Sequence, residues 1–217
     1  QHKLSRMISK LHYISQENSP KTNLDNIQNA CVAGAELVVL NFQNSSEKKY
    51  LKIAKQAREI TSHYQTRLII NSHFKIAKDL KVDGVHLNSA IQCPTAIRKE
   101  LFSWQWIGAT ANSLEVCESY INKEVDYIYL SPFRTTKDTQ SDPLGLNGFT
   151  AIIDALQTDT PIIGVGDITT TDIKAILETG ISGVGVSEQI TNDFNTIKLF
   201  HQLLTASSTE EQRHSFQ

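Results

Sequence analysis

The residues best suited to chemistry gather in three stretches of the second half of the chain. Arg134, Thr135, Thr136 and Lys137 stand together in SPFRTTKDTQSDPLGLNGF, followed by Gly145 and Gly148. Hydroxyls and a lysine suit anionic oxygens, and glycines let a loop close over a ligand. Gly166 sits in the turn of PIIGVGDITTT, and Ser187 follows the apolar run GVGV. Backbone amides at strand ends and helix N-termini of this kind close around phosphate. The threonine-rich loop alone reads equally well as a solvated surface loop. Beside the two glycine-containing turns, it reads as one wall of a phosphate site.

Other polar residues follow apolar runs earlier in the chain: Gln16, Asn41, Gln43, Asn71 to His73, Asn88, Ser89, Thr110 and Asn112. They are amides and hydroxyls with little charge. No close carboxylate pair, Cys–His pair or Ser-His-Asp spacing appears among them, so a tuned acid–base mechanism is not signalled. The seven histidines show no metal spacing such as HExxH. His86 in DGVHLN alternates with Val85 and Leu87. It reads as a hydrogen-bonded core histidine, with an inward position beneath a site as the alternative. His73 opens a helical segment.

The elements that must position these residues are legible as eight apolar, β-branched runs: Leu11–Ser15, Leu37–Phe42, Arg67–Asn71, Gly84–Leu87, Trp106–Thr110, Tyr127–Ser131, Pro161–Val165 and Gly183–Ser187. Most are continuous rather than alternating, as parallel strands covered on both faces require. Each precedes a segment of helical spacing, such as Leu24, Ile27, Cys31 or Ile197, Phe200, Leu204. Asn23, Ser46, Thr170 and Asn192 are expected to cap helices, and Gly34 and Gly180 to end them. Eight βα units make a single (β/α)8 barrel the expected fold, with a doubly wound open sheet as the alternative. In a barrel, the loops after strands 7 and 8 often hold phosphate, which is where Gly166 and Ser187 fall.

Composition agrees. The 217 residues are 40% hydrophobic and 20% charged, with a formal net charge of −2. That balance suits a globular domain with one large core and offers no electrostatic footprint for nucleic acid or a membrane surface. No apolar run approaches the ~20 residues that span a bilayer. Cys31, Cys93 and Cys117 are odd in number and widely spaced, as expected of reduced thiols in a cytoplasmic protein. Residues 1–9 and 207–217 are expected to be flexible segments flanking a barrel over 10–206.

The segments KLHYISQ, NACVAGAELVVLNFQN, RLIINSHFKIAKDLKVDGVHL, WIGATANSLEV, VDYIYLSPFRTTK and PIIGVGDITTTDIKAILETGISGVGVSEQI resemble, in order, the thiamine phosphate synthases and their thiazole tautomerase relatives. The resemblance runs from Lys10 to about Leu204. It implies joining an aminopyrimidine methyl diphosphate to a thiazole phosphate. Pyrophosphate leaves, and the thiazole nitrogen captures the resulting pyrimidine cation. It also implies Mg²⁺, a small phosphorylated heterocycle as partner, and leaves a homodimer open as the assembly.

Carried over residue by residue, the resemblance is uneven. It assigns Lys137 and Thr110, the latter in place of a serine, to catalysis. Asn41, Gln43, Asn71, Thr135, Thr136, Gly166 and Ser187 fall at substrate-binding positions. However, Asn41 and Gln43 replace an arginine and a lysine that grip the diphosphate. Ser72 and Ile91 replace two aspartates that bind Mg²⁺, so the ligands for the expected metal are missing. Asp167 stands where a glycine is usual beside the phosphate. Pro132 occupies the place of the tautomerases' catalytic histidine, so that activity is not implied. Charge-assisted contacts are typically worth about 1.5–3 kcal/mol each. Losing four from one diphosphate site is expected to remove several powers of ten in rate. The alternative expectation is an impaired paralogue that binds a thiazole phosphate, thiamine phosphate or a similar small phosphate. A third is an unrelated phosphate-binding isomerase, which would need the acid–base pair that the chain does not display.

Overall fold

The computed structural model describes residues 7–16, 19–137 and 141–214, with side chains as far as 206. Eight parallel strands close into a barrel in chain order, β8 pairing with β1. They are β1 (Leu11–Ile14), β2 (Leu37–Leu40), β3 (Arg67–Asn71), β4 (Gly84–Leu87), β5 (Trp106–Ala111), β6 (Tyr127–Leu130), β7 (Ile162–Val165) and β8 (Gly183–Val186). Each lies within a residue or two of the apolar run that signals it. The helices are α1 (Pro20–Val32), α2 (Glu47–His63), α3 (Phe74–Asp79), α4 (Pro94–Arg98), α5 (Leu114–Asn122), α6 (Gly145–Leu156), α7 (Ile173–Glu178), α8 (Glu188–Asn192) and α9 (Thr196–His214). α9 continues past residue 206; residues 1–6 and 215–217 of the expected terminal segments lie outside the described residues.

The continuous apolar runs follow from burial on both faces. Outward residues such as Val38, Leu68 and Val85 pack under the helices, in one cluster with Ile27, Ala54 and Ile76. Inward residues form a second, smaller cluster of Leu37, Val39, Ile69, Trp106, Tyr127, Tyr129 and Ile163. Tyr127 has room inside because Gly108 faces it without a side chain. A Cβ on Gly108 would stand 1.9 Å from the Tyr127 ring.

Helix signals fared unevenly. Ser46 caps α2 by accepting from the Lys49 amide, and Gly34 and Gly180 follow helix ends at φ +97° and +94°. Three expected caps are corrected. Ser19 caps α1, with Pro20 in its first turn, so Asn23 lies inside the helix and is buried. Thr170 is the first residue of a 3-10 turn (Thr170–Asp172) whose cap is Thr169, completed by the Asp172 side chain. Asn192 ends α8 rather than preceding a helix, and α9 starts beyond Asp193. In the first two cases a hydroxyl one to four residues away took the capping role. Asn23 was drawn inward because its amide reaches two backbone carbonyls, Gln16 O and Asn41 O, each at 3.0 Å. All three cysteines are free. No described helix is long and apolar enough to cross a membrane.

Candidate functional site

Parallel closure brings every strand C-terminus to one end of the barrel, and the polar residues of interest collect there. On one side the loops after β6, β7 and β8 are tied together. Phe133 N–H donates to Val165 O at 2.8 Å and Arg134 N–H to Gly166 O at 3.1 Å. Gly166 makes this contact feasible: it sits at φ +126°, and a Cβ there would come 2.5 Å from the Phe133 nitrogen. The Arg134 guanidinium donates to Asp167 O at 2.9 Å and grips Asp172 with both terminal nitrogens, at 2.6 and 2.5 Å. That pairing raises the Arg134 pKa and holds the Asp172 carboxyl below the usual carboxylate range. Arg134 is thereby committed to the scaffold. Thr135 and Lys137 are exposed and Thr136 is half-buried in the same loop; Asp138 to Gln140 lie outside the described residues.

Asp167 complicates this side. It takes φ +52° where a glycine would be relaxed, and its Oδ1 accepts from Gln189 Nε2 at 3.3 Å. The carboxylate therefore ties the loop after β7 to the first turn of α8. Ser187 precedes α8, and its carbonyl accepts from the Ile190 and Thr191 amides.

The opposite side is built of amides. Asn41 and Gln43 lie after β2 and hydrogen-bond each other, Gln43 Nε2 to Asn41 Oδ1 at 3.4 Å. Asn71 ends β3 almost fully buried, its backbone amide held by Tyr50 Oη at 3.1 Å, while its Oδ1 has no partner. His73 stacks on Tyr50 with centroids 3.9 Å apart, and burial pushes its pKa down. After β4 the chain places Ile91 in solvent, 93% exposed. Gln92 reaches back to donate to Ser72 O at 2.9 Å. Thr110, near the end of β5, is bonded through Oγ1 to His86 Nε2 at 2.8 Å. His86 is thus both things at once: inward-facing beneath the site and hydrogen-bonded within the core.

The positions where the resemblance puts Mg²⁺ do not fit that ion. Ser72 offers a hydroxyl and Ile91 nothing. Among the described residues no group of three or more His, Cys, Asp or Glu could hold a metal. Hard divalent cations of this kind want carboxylate oxygens. Two open clefts, about 560 Å³ between α1 and α2 and about 550 Å³ beside Arg67 and Asp83, lie away from the strand C-termini and carry none of these residues.

Comparison with known proteins supplies the family. A family model described as thiamine monophosphate synthase covers residues 11–190. The chain belongs to the thiamine monophosphate synthase family. A thiamine-phosphate synthase of Flavobacterium johnsoniae is 33% identical over 202 residues, 91% of this chain and 95% of the relative. One of Bacteroides thetaiotaomicron is 31% identical over 185 residues, 83% of this chain and 88% of the relative. Among solved structures, a thiamine phosphate pyrophosphorylase of Pyrococcus furiosus superposes with a TM-score of 0.76 at 20% identity, covering 90% of this chain and 96% of that one. That likeness speaks for the fold.

Residues that the sequence left unnoticed are Gln92, the Asp172 partner of Arg134, and the aromatic pair Tyr127 and Tyr129 inside the barrel. The last two carried a signal, since YIYL alternates rings with aliphatics at the period of a strand. The first two did not, because each depends on a contact between loops.

Proposed function

We propose that this chain is a synthase-family barrel that holds a thiazole phosphate or a similar small phosphate at its β6–β8 side, and has lost the half that grips a diphosphate and Mg²⁺. In this reading Lys137, Thr135, Thr136 and the backbone at Gly166 and Ser187 receive the phosphate. Asn41, Gln43, Asn71 and Thr110 contact the heterocycle. The coupling reaction breaks a C–O bond to the departing diphosphate and forms a C–N bond to the thiazole. Its transition state places growing negative charge on the leaving oxygens. Nothing at Asn41, Gln43, Ser72 or Ile91 can neutralise that charge, because two neutral amides, a hydroxyl and an exposed aliphatic carry none.

The observation that carries the reading is this asymmetry: one side closed by interloop bonds around glycine, the other composed of paired amides without a carboxylate. It favours a protein that binds a phosphorylated heterocycle and couples slowly or not at all. Calorimetry tests it. Thiazole phosphate should bind without added metal, and an aminopyrimidine methyl diphosphate should gain no affinity from Mg²⁺. A Mg²⁺-dependent rise in diphosphate affinity of tenfold or more would overturn it.

A further inference from the structure

The N-terminal end of the barrel, opposite the strand ends described above, carries a cleft of about 550 Å³. Arg58, Arg67, Lys81, Asp83 and Trp104 line it, from the last turns of α2, the end of α3 and the approaches to β3, β4 and β5. Asp83 precedes β4 and is buried. Its Oδ2 accepts the Leu68 amide at 2.9 Å, and its Oδ1 accepts from Arg67 Nη1 at 3.2 Å. Arg58 Nη1 stands 4.0 Å from the same carboxylate, and Arg58 Nη2 donates to Lys81 O at 3.0 Å. The Lys81 side chain is exposed.

The barrel repeats this device two strands on, with fewer cations. Asp126 precedes β6, accepts the Ile107 amide at 2.8 Å and pairs with a single arginine, Arg98. Arg98 spends its other terminal nitrogen on Gln105 O at 2.6 Å. One arginine per aspartate therefore suffices to anchor the start of a strand. At Asp83 two arginines and a lysine gather around one carboxylate, which leaves two positive charges in excess. Among the described residues, the side chains of Arg58 and Arg67 each donate a single hydrogen bond, so most of their N–H donors are unspent. Beside them the Trp104 ring is 43% exposed and runs parallel to Phe102, with centroids 5.7 Å apart and 5° between the planes. A stacking face thus stands next to an anion grip.

We propose that this cleft is a second ligand site, which takes a phosphomonoester attached to a flat ring. A phosphomonoester carries about −1.5 to −2 charges near pH 7, which matches the excess in the cleft. Guanidinium forks fit its oxygens two at a time. The ring lies on Trp104. A volume of about 550 Å³ falls within the roughly 300–1,000 Å³ of ordinary small-molecule sites. The cleft lies at the far end of the barrel from Lys137, Gly166 and Ser187. It is filled or empty whatever binds there, so this inference does not rest on the function proposed above.

The test titrates adenosine 5′-monophosphate into the full chain and reads tryptophan fluorescence. Trp104 is one of two tryptophans, and the other, Trp106, is 7% exposed inside the barrel. Saturable quenching below about 1 mM is expected, and Trp104→Phe should abolish it. By calorimetry, ribose 5-phosphate, which lacks the ring, should bind at least about fivefold more weakly. Adenosine, which lacks the charge, should bind at least about tenfold more weakly. Arg58→Gln should weaken the nucleotide roughly tenfold. Lys81→Gln alters an exposed side chain and leaves the fold intact; it should weaken the nucleotide roughly threefold to fivefold. No saturable quenching in the wild type overturns the site. Quenching that persists in Trp104→Phe, or an affinity unaltered by Lys81→Gln, places the nucleotide elsewhere and overturns it as well. Ribose 5-phosphate or adenosine bound as tightly as the nucleotide overturns the ligand class.

Discussion

Replacing Gly166 by alanine is expected to separate the loops after β6 and β7, which form the proposed phosphate side, and Gly34 supplies the control. Both residues have positive φ, +126° and +97°. An L-residue in such a conformation costs roughly 1–2 kcal/mol. At Gly34 nothing lies within 4 Å of the added Cβ, so that strain is the whole effect. At Gly166 the Cβ would stand 2.5 Å from Phe133 N and 3.0 Å from Pro132 Cα. Both are backbone atoms that can yield only by moving the β6 loop. Overpacking of this kind adds about 1–3 kcal/mol. Gly166→Ala should therefore lose about 2–5 kcal/mol and Gly34→Ala about 1–2 kcal/mol. For a chain of this size these correspond to Tm drops of roughly 4–20 °C and 2–8 °C. Denaturant unfolding followed by the fluorescence of Trp104 and Trp106 measures the difference. Thiazole phosphate affinity should fall in Gly166→Ala and remain unchanged in Gly34→Ala. Equal stability losses for the two, or intact phosphate binding in a folded Gly166→Ala protein, would refute the interloop packing.

Three further outcomes are expected. Asp167→Gly removes a carboxylate from the rim of the phosphate side and relaxes a strained φ; phosphate-ester affinity by calorimetry should rise roughly threefold to tenfold, and an unchanged or lower affinity would mean that the carboxylate points away. The combined reversion Asn41→Arg, Gln43→Lys, Ser72→Asp and Ile91→Asp should raise Mg²⁺-dependent pyrophosphate release, while single reversions do little, because such a site works as a unit; additive gains from the single changes would argue against that. Stability should also fall in acid. His12 and His86 stay neutral in the fold, with pKa values lowered by burial to about 4 and about 3, while the unfolded chain binds those protons near pH 6.5. Their contribution is complete above pH 6.5 and lost as pH falls towards 4 and 3, by up to about 2.7 kcal/mol per pH unit while both differ; a flat stability profile between pH 6.5 and 4.5 would show that the pair is not held neutral.

The barrel is legible in the sequence because parallel strands buried on both faces are largely apolar, and most of the eight runs are nearly continuous in that respect. Helix starts are less so. Asn23, Thr170 and Asn192 have capping side chains, but each competes with a neighbour, and the winner depends on which backbone carbonyl or amide lies nearby in space. At the site, the loops that bear Thr135, Thr136, Lys137, Gly166 and Ser187 are chain-local features and converge as the topology requires. Arg134 illustrates what stays hidden: in sequence it is one more cation beside the phosphate, and only the contact with Asp172, 38 residues away, removes it from that role. His86 likewise shows its alternation but not its partners, since Tyr127 and Thr110 come from two other strands.

The most direct test of an incomplete diphosphate half-site is the rate of pyrophosphate release by the wild-type chain. It should be measured with aminopyrimidine methyl diphosphate, thiazole phosphate and Mg²⁺, beside the Flavobacterium johnsoniae relative. The expected rate is lower by several powers of ten and indifferent to a chelator. Turnover comparable to that relative, abolished by chelator, would contradict it.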